Sequence, residues 1–202
     1  MRDLALEKET TVAFDVMIDL ETLGTDPGCV VLSIGAVVFG PSGTGAEFHR
    51  VLSVDQQVKA GMRIDPDTHI WWEQQSDDAK KTLLEAHAKE DRLIYDLIDF
   101  SVWVESTVGL GRRANIWGNG AEFDNSILGA LYKKMGLKKP WAYGESRCYR
   151  TLKNLRQIDL PTRPEGNVFH NALDDARLQA QHAVALLNDI KPWWWWTAMV
   201  QR

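Results

Sequence analysis

The chain begins with dense apolar runs and passes to helical spacing near its middle. Ala13 to Leu20, AFDVMIDL, is β-rich and mostly apolar and predicts a central strand. Thr25-Asp26-Pro27-Gly28 breaks it, and Cys29 to Phe39, CVVLSIGAVVF, predicts a second, buried strand. Gly40 to Gly45, GPSGTG, reads as a hairpin loop leading to a third strand around Glu47–Ser53. Strands joined by turns in this way predict an antiparallel meander.

Helical spacing then takes over. Asp67 is placed to cap a short helix through Ile70-Trp71-Trp72, and Ser76-Asp77-Asp78 supplies a cap and two first-turn acids before AKKTLLEAH. Asp91 to Thr107 carries Leu93, Ile94, Leu97, Ile98 and Val102 three and four apart, the pattern of an amphipathic helix. Ala114 to Gly118 is short and bounded by glycine, so a fourth strand is expected there. Asp124 to Met135 reads as a helix ended by Gly136, and Leu173 to Ile190 as a longer one stopped by Lys191-Pro192. Three strands, helices, a strand and helices predict an α/β layer with a mixed sheet. No internal repeat or linker is evident, so 202 residues are expected to form one domain.

Composition narrows the class. Hydrophobic residues at 45% and charged residues at 25% are ordinary globular usage, which excludes disordered and fibrous chains. No apolar run approaches the ~20 residues needed to span a bilayer, and MRDLALEKET lacks the apolar stretch of a secretory leader. Two cysteines, Cys29 and Cys148, make no disulfide framework. A cytoplasmic protein without a membrane partner is expected. The net charge of −5 conceals a division: Leu131 to Arg163 holds nine Lys/Arg against two acids, a balance of +7, leaving −12 for the rest. Such a block is either a solvated helix face or a surface that tracks phosphates.

The acids that balance it fall in telling places. Asp19 and Glu21 lie two apart at the tip of an apolar strand, so their carboxylates share a face. Asp124 follows Gly118-Asn119-Gly120 at a helix start, where an ordinary N-cap would also sit. His170 precedes the last helix, and Asp174 and Asp175 lie in its first turns, where acids suit the helix dipole. Each feature alone has a structural explanation. Asp19-x-Glu21, Asp124 at its helix start and His170-x4-Asp175 together supply four carboxylates and an imidazole. Carboxylates converging within a few Å repel by about 1 to 4 kcal/mol per pair, so a cluster of them calls for cations. Oxygen-only ligands favour Mg²⁺ or Mn²⁺ over zinc. Two such ions about 4 Å apart clamp a phosphodiester for in-line hydrolysis, and an imidazole can take the water's proton.

IDLET, GNGAEFDN and HNALDDA resemble the three motifs of the DEDDh branch of DnaQ-like 3′→5′ exonucleases, over roughly Val16 to Leu187. The resemblance implies an RNase H-like fold, a mixed five-stranded sheet with helices on both faces. It implies Asp19, Glu21, Asp124 and Asp175 as ligands of two Mg²⁺ or Mn²⁺ ions, with His170 as general base and Asp174 outside the set. Thr68 to Ser76, THIWWEQQS, is similar to a stretch shared by phage DexA-type exodeoxyribonucleases and bacterial RNase AS-type exoribonucleases, with His69 as a departure.

From that likeness a single-stranded 3′ end is the expected partner, DNA ahead of RNA. Thr22 and Leu23 are expected to hold the terminal nucleotide, the leucine as a wedge. Gln75 and one of Trp71 and Trp72 are expected either to touch that nucleotide or to pack on the sheet. Trp117 and Phe123 have the same two alternatives. Residues 1–11 read as an extension and 192–202 as a tail. The tail's Trp193-Trp194-Trp195-Trp196 suits packing or a homodimer interface better than base stacking.

Overall fold

The computed structural model describes residues 14–109, 113–120, 122–156 and 158–190. The expected extension at 1–11 and the tail with its four tryptophans lie outside these residues. The sheet contains β1 (Phe14–Thr22), β2 (Val31–Gly40), β3 (Gly43–Val51), β4 (Ala114–Gly118) and β5 (Ser146–Cys148), in the order β3-β2-β1-β4-β5. β1, β2 and β3 form the antiparallel meander, and β4 and β5 add parallel to β1 and to each other. The first hairpin loop is tighter than expected, since Gly43 to Gly45 already belong to β3.

Two helical groups cover the two faces. α1 (Val54–Lys59), α2 (Pro66–Glu73), α3 (Asp77–Ala88), α4 (Leu93–Val108) and α5 (Asp124–Lys134) contribute to the core over Val16, Ile18, Leu20, Ile34 and Ala36. α6 (Tyr149–Leu155) and α7 (Ala172–Ile190) cover Met17, Val37 and Phe39 on the other side. The strand's alternation makes this division, and it carries a consequence for chemistry. Met17, Asp19 and Glu21 form one row of β1, so the two acids continue the row that faces α7.

Local signals explain most of the helix starts. Ser76 caps α3 through the Ala79 N–H, as its sequence predicts. α2 starts earlier than expected: Asp65, not Asp67, is the cap, accepting from the Thr68 N–H at 2.9 Å with Pro66 in the first turn. α4 buries Leu93, Leu97, Phe100, Val104 and Val108, whereas Ile94, Ile98 and Val102 face outward, contrary to their expected core role. The inward stripe also takes in Asp96, fully buried with Arg50 at 3.6 Å and Lys89 at 3.8 Å as counter-ions.

α7 lies close against the sheet at Gly35. Gly35 of β2 pairs with Asp19 of β1, and a Cβ on Gly35 would overlap the backbone of Ala172 and Leu173. Only a glycine lets the first turn of α7 lie directly on the strand beside Asp19. Gly35→Ala is therefore expected to cost about 1–3 kcal/mol in urea unfolding, whereas Gly40→Ala, with nothing within 4 Å, should change the midpoint little. Equal effects of the two substitutions would contradict this packing.

Candidate active site

Three chain segments meet at the end of β1. Glu21 is buried and Asp19 half-buried in the row facing α7, and Asp175 comes from the first turn of that helix. Ligand oxygens of Asp19, Glu21 and Asp175 all lie within 4.8 Å of one another. Asp124 arrives from the opposite side. β4 ends at Gly118, short of Leu20, and Asp124 Oδ1 accepts the Leu20 N–H at 3.2 Å while Oδ2 accepts the Asn119 N–H at 2.7 Å. Gly118 makes room for it, since a Cβ there would lie 2.8 Å from the Asp124 Cβ. Asp124 thus lies beside the trio, near enough for its charge to act on Asp19 and Glu21.

The electrostatics follow from this crowding. Burial, then the charges of Asp124, Glu21 and Asp175, hold Asp19 well above the ordinary carboxylate range, against the Gln179 amide that donates to its Oδ1 at 2.6 Å. Burial and the charges of Asp175 and Asp124 push Glu21 up to about 8. Asp124 is pushed by burial up to about 6, against its two backbone donors and the charge of Arg150. Oxygen donors that raise one another's pKa in this way suit a hard divalent cation, whose charge removes the repulsion. Asp19, Glu21 and Asp175 fit such an ion directly; Asp124, with both oxygens taken by backbone donors, stands at its edge.

His170 occupies a different environment from the acids. Its backbone is left-handed, φ 60°, a conformation uncommon outside glycine. Its ring meets Trp71 edge-on at 4.8 Å between centroids and Trp72 at 6.2 Å, and the Trp72 indole N–H donates to the Thr22 carbonyl at 2.9 Å. Two indoles thereby tie the imidazole to the end of β1. Asn171 follows as the cap of α7, its side-chain oxygen accepting from the N–H groups of Leu173 and Asp174. Asp174 accepts from the Val168 N–H and from Arg177.

The residues expected to hold the nucleotide divide differently. Leu23 is fully buried in the core and Trp72 is 1% exposed, so neither presents a surface to a base; both serve packing instead. The Thr22 hydroxyl donates to the Gly24 carbonyl at 2.6 Å, and the Gln75 amide donates to the Trp71 carbonyl at 2.9 Å. Phe123 is half-buried against the core, and Trp117 packs on Phe39 with its indole N–H on Asp15. Trp71, 40% exposed, is the indole of the pair that reaches the surface.

Several members of the basic block have partners within the fold. Arg156 pairs with Asp189, Arg147 with Asn115 and nearby carbonyls, and Lys139 and Lys153 lie over Trp141 and Tyr149. Two of its members reach the acids: Arg150 lies beside Gly120 and acts on Asp124, and Arg163 bonds Asp175. Arg163, Arg150, Gln179, Gly35 and Gly118 are the contributors that the sequence pattern does not single out.

A family model described as the Rv2179c-like 3′-5′ exoribonuclease domain matches residues 14–187. The chain belongs to this family. Its members are 3′-5′ exonucleases of the DnaQ-like type, and the fold agrees. The nuclease domain of 3′hExo, a DEDDh family member bound to rAMP, superposes with a TM-score of 0.53 at 14% identity, over 87% of this chain and 92% of that one. Exonuclease X in complex with 5′ overhanging duplex DNA gives 0.54 at 18% identity, over 87% and 92%. E. coli Exonuclease I with an oligonucleotide gives 0.55 at 16% identity, over 93% of this chain but 43% of that one. A search among curated proteins finds no match. No described helix is long and apolar enough to cross a membrane.

The raised acids set a pH dependence for this exonuclease. Folding moves Glu21 from its ordinary 4.5 to about 8 and Asp124 from 3.8 to about 6, so the folded chain holds protons that the unfolded chain has released. In EDTA, stability is expected to fall as pH rises from about 4.5 toward 8. Millimolar Mg²⁺ or Mn²⁺ should raise the melting temperature most at the alkaline end. Melting curves at pH 5 and 8, with and without the ion, test this; a metal effect equal at both would contradict it.

Proposed function

We propose that this exonuclease removes nucleotides from the 3′ end of single-stranded RNA, releasing nucleoside 5′-monophosphates with two divalent cations. The observation that carries the reading is the trio of Asp19, Glu21 and Asp175, with ligand oxygens within 4.8 Å and Asp124 beside them. RNA is placed first because the matching family model is described as an exoribonuclease domain.

Asp19, Glu21 and Asp175 would hold the cations directly, with Asp124 supporting from the edge. When bound, the ions supply charge for the phosphate oxygens and lower the pKa of the attacking water. His170 takes the water's proton on a ring nitrogen as the new bond to phosphorus forms. The P–O3′ bond breaks, the terminal nucleotide leaves with its 5′-phosphate, and the O3′ left on the shortened chain takes a proton from solvent to become its 3′-hydroxyl. Trp71 and Trp72 hold the imidazole for this step, which gives a reason for a left-handed histidine.

A second reading is single-stranded DNA, because the THIWWEQQS stretch is shared by the phage DexA-type exodeoxyribonucleases as well as by the RNase AS-type exoribonucleases. Side-by-side digestion of 5′-labelled RNA and DNA of one sequence in Mg²⁺ separates the two. Faster loss of RNA is expected, no loss of either in EDTA, and faster loss of DNA would reverse the order. Asp19→Asn should abolish hydrolysis with the fold kept. His170→Ala should slow it on the order of 10²- to 10⁴-fold while Mn²⁺ binding, read by calorimetry, stays near that of the unaltered chain. Loss of metal binding in that variant would make His170 a ligand and not a base.

A further inference from the structure

The loop that carries His170 also carries a guanidinium with an unusual set of partners. Arg163 Nη2 donates to Asp175 Oδ1, Nη1 donates to the Val168 carbonyl at 3.2 Å, and the guanidinium lies 4.3 Å from the centroid of the Phe169 ring. The side chain is only 14% exposed. Its Nε–H is buried and finds no acceptor among the described residues. Nε–H and Nη2 form one edge of the guanidinium, the edge that takes a carboxylate or a phosphate by two parallel bonds. Asp175 uses half of that edge.

A guanidinium meant only to neutralise Asp175 would be seated on both its oxygens, since a buried unpaired donor is unfavourable. Asp175 is also one of the three acids able to share a cation. Once such an ion is shared, the carboxylate has less charge to offer Arg163. A phosphodiester entering the site brings negative charge and two free oxygens to the same place.

We propose that Arg163 is a phosphate-binding residue held on Asp175 until substrate arrives. On loading, its Nε/Nη2 edge passes from the carboxylate to the phosphate of the terminal nucleotide, while the Val168 carbonyl and the Phe169 ring keep the guanidinium in place. Phe169 adjoins His170, so the same movement couples the loop bearing the base to the bound phosphate. This assignment rests on reading the site as an exonuclease centre.

The test compares Arg163→Gln and Arg163→Lys with the unaltered chain by calorimetry, titrating Mn²⁺ alone, then AMP and adenosine in Mn²⁺. Arg163→Gln should bind Mn²⁺ as tightly as the unaltered chain or more tightly, bind AMP on the order of tenfold to a hundredfold more weakly, and bind adenosine unchanged. Arg163→Lys, which keeps the charge but not the two-pronged edge, should fall between. If Arg163→Gln fails to fold by circular dichroism, the lysine variant decides, with weaker AMP and unchanged Mn²⁺ affinity expected. Mn²⁺ affinity that falls together with AMP affinity would overturn the proposal and leave Arg163 as a residue that orients Asp175. Unchanged AMP affinity would also overturn it. An unaltered chain that binds neither Mn²⁺ nor AMP would instead overturn the exonuclease reading itself.

Discussion

Mutual repulsion among carboxylates is the constraint around which this molecule is arranged. Asp19 and Glu21 stand in a row of β1 whose previous member, Met17, lies in the core, and Asp175 descends onto them from α7. Nothing about isolated acids favours that meeting. It is enforced by packing: Gly35 admits the backbone of Ala172 and Leu173 against β2, directly beside Asp19, and the buried Ala176, Ala180, Ala183 and Leu186 hold α7 down along its length. The apolar face of α7 thus supplies the free energy that keeps its acid in an unfavourable place. Such an arrangement is what a cation-dependent centre requires, because charge added by ions is then stabilised by a cavity already formed.

The partial compensations are consistent with that design. Gln179, one turn after Asp175, offers an amide to Asp19; backbone N–H groups take both oxygens of Asp124; Arg163 takes one oxygen of Asp175. Each partner orients a carboxylate without cancelling the crowding, and Glu21 has no such donor among the described residues and a pKa pushed up to about 8. Orientation from behind a ligand is how proteins tune metal sites. The loop between α6 and α7 has the densest role, since it carries Arg163 and His170 and is pinned at its base by His182, whose ring bonds the Ile158 carbonyl and the Tyr149 hydroxyl.

Much of this was readable from the residue pattern, and the exceptions have physical reasons. Alternation along MIDLE put both carboxylates on one face, and HNALDDA marked the start of the last helix, with Asp175 in its first turn. The meander followed from turn residues. β5 was missed because three residues carry no period, and α6 because Cys148, an unusual cap, accepts the Thr151 N–H. Gly35 is one glycine in an apolar strand, and nothing in LSIGAVVF says which backbone will press on it. Arg163 looks in the sequence like one member of a basic block, whereas Arg147, Arg156, Lys139 and Lys153 of that block are tied to neighbours away from the acids. Leu23 follows the acids and Trp72 belongs to the THIWWEQQS stretch, yet the turn after Thr22 buries the leucine and α2 turns Trp72 inward onto the Thr22 carbonyl. Spacing along a chain reports proximity to a site far better than it reports which way a side chain faces once the turn is made.

Anomalous diffraction from crystals grown with Mn²⁺ tests the central claim most directly. Strong peaks should lie among the oxygens of Asp19, Glu21 and Asp175, with a second position toward Asp124. Manganese bound elsewhere while these carboxylates remain without it would contradict the account.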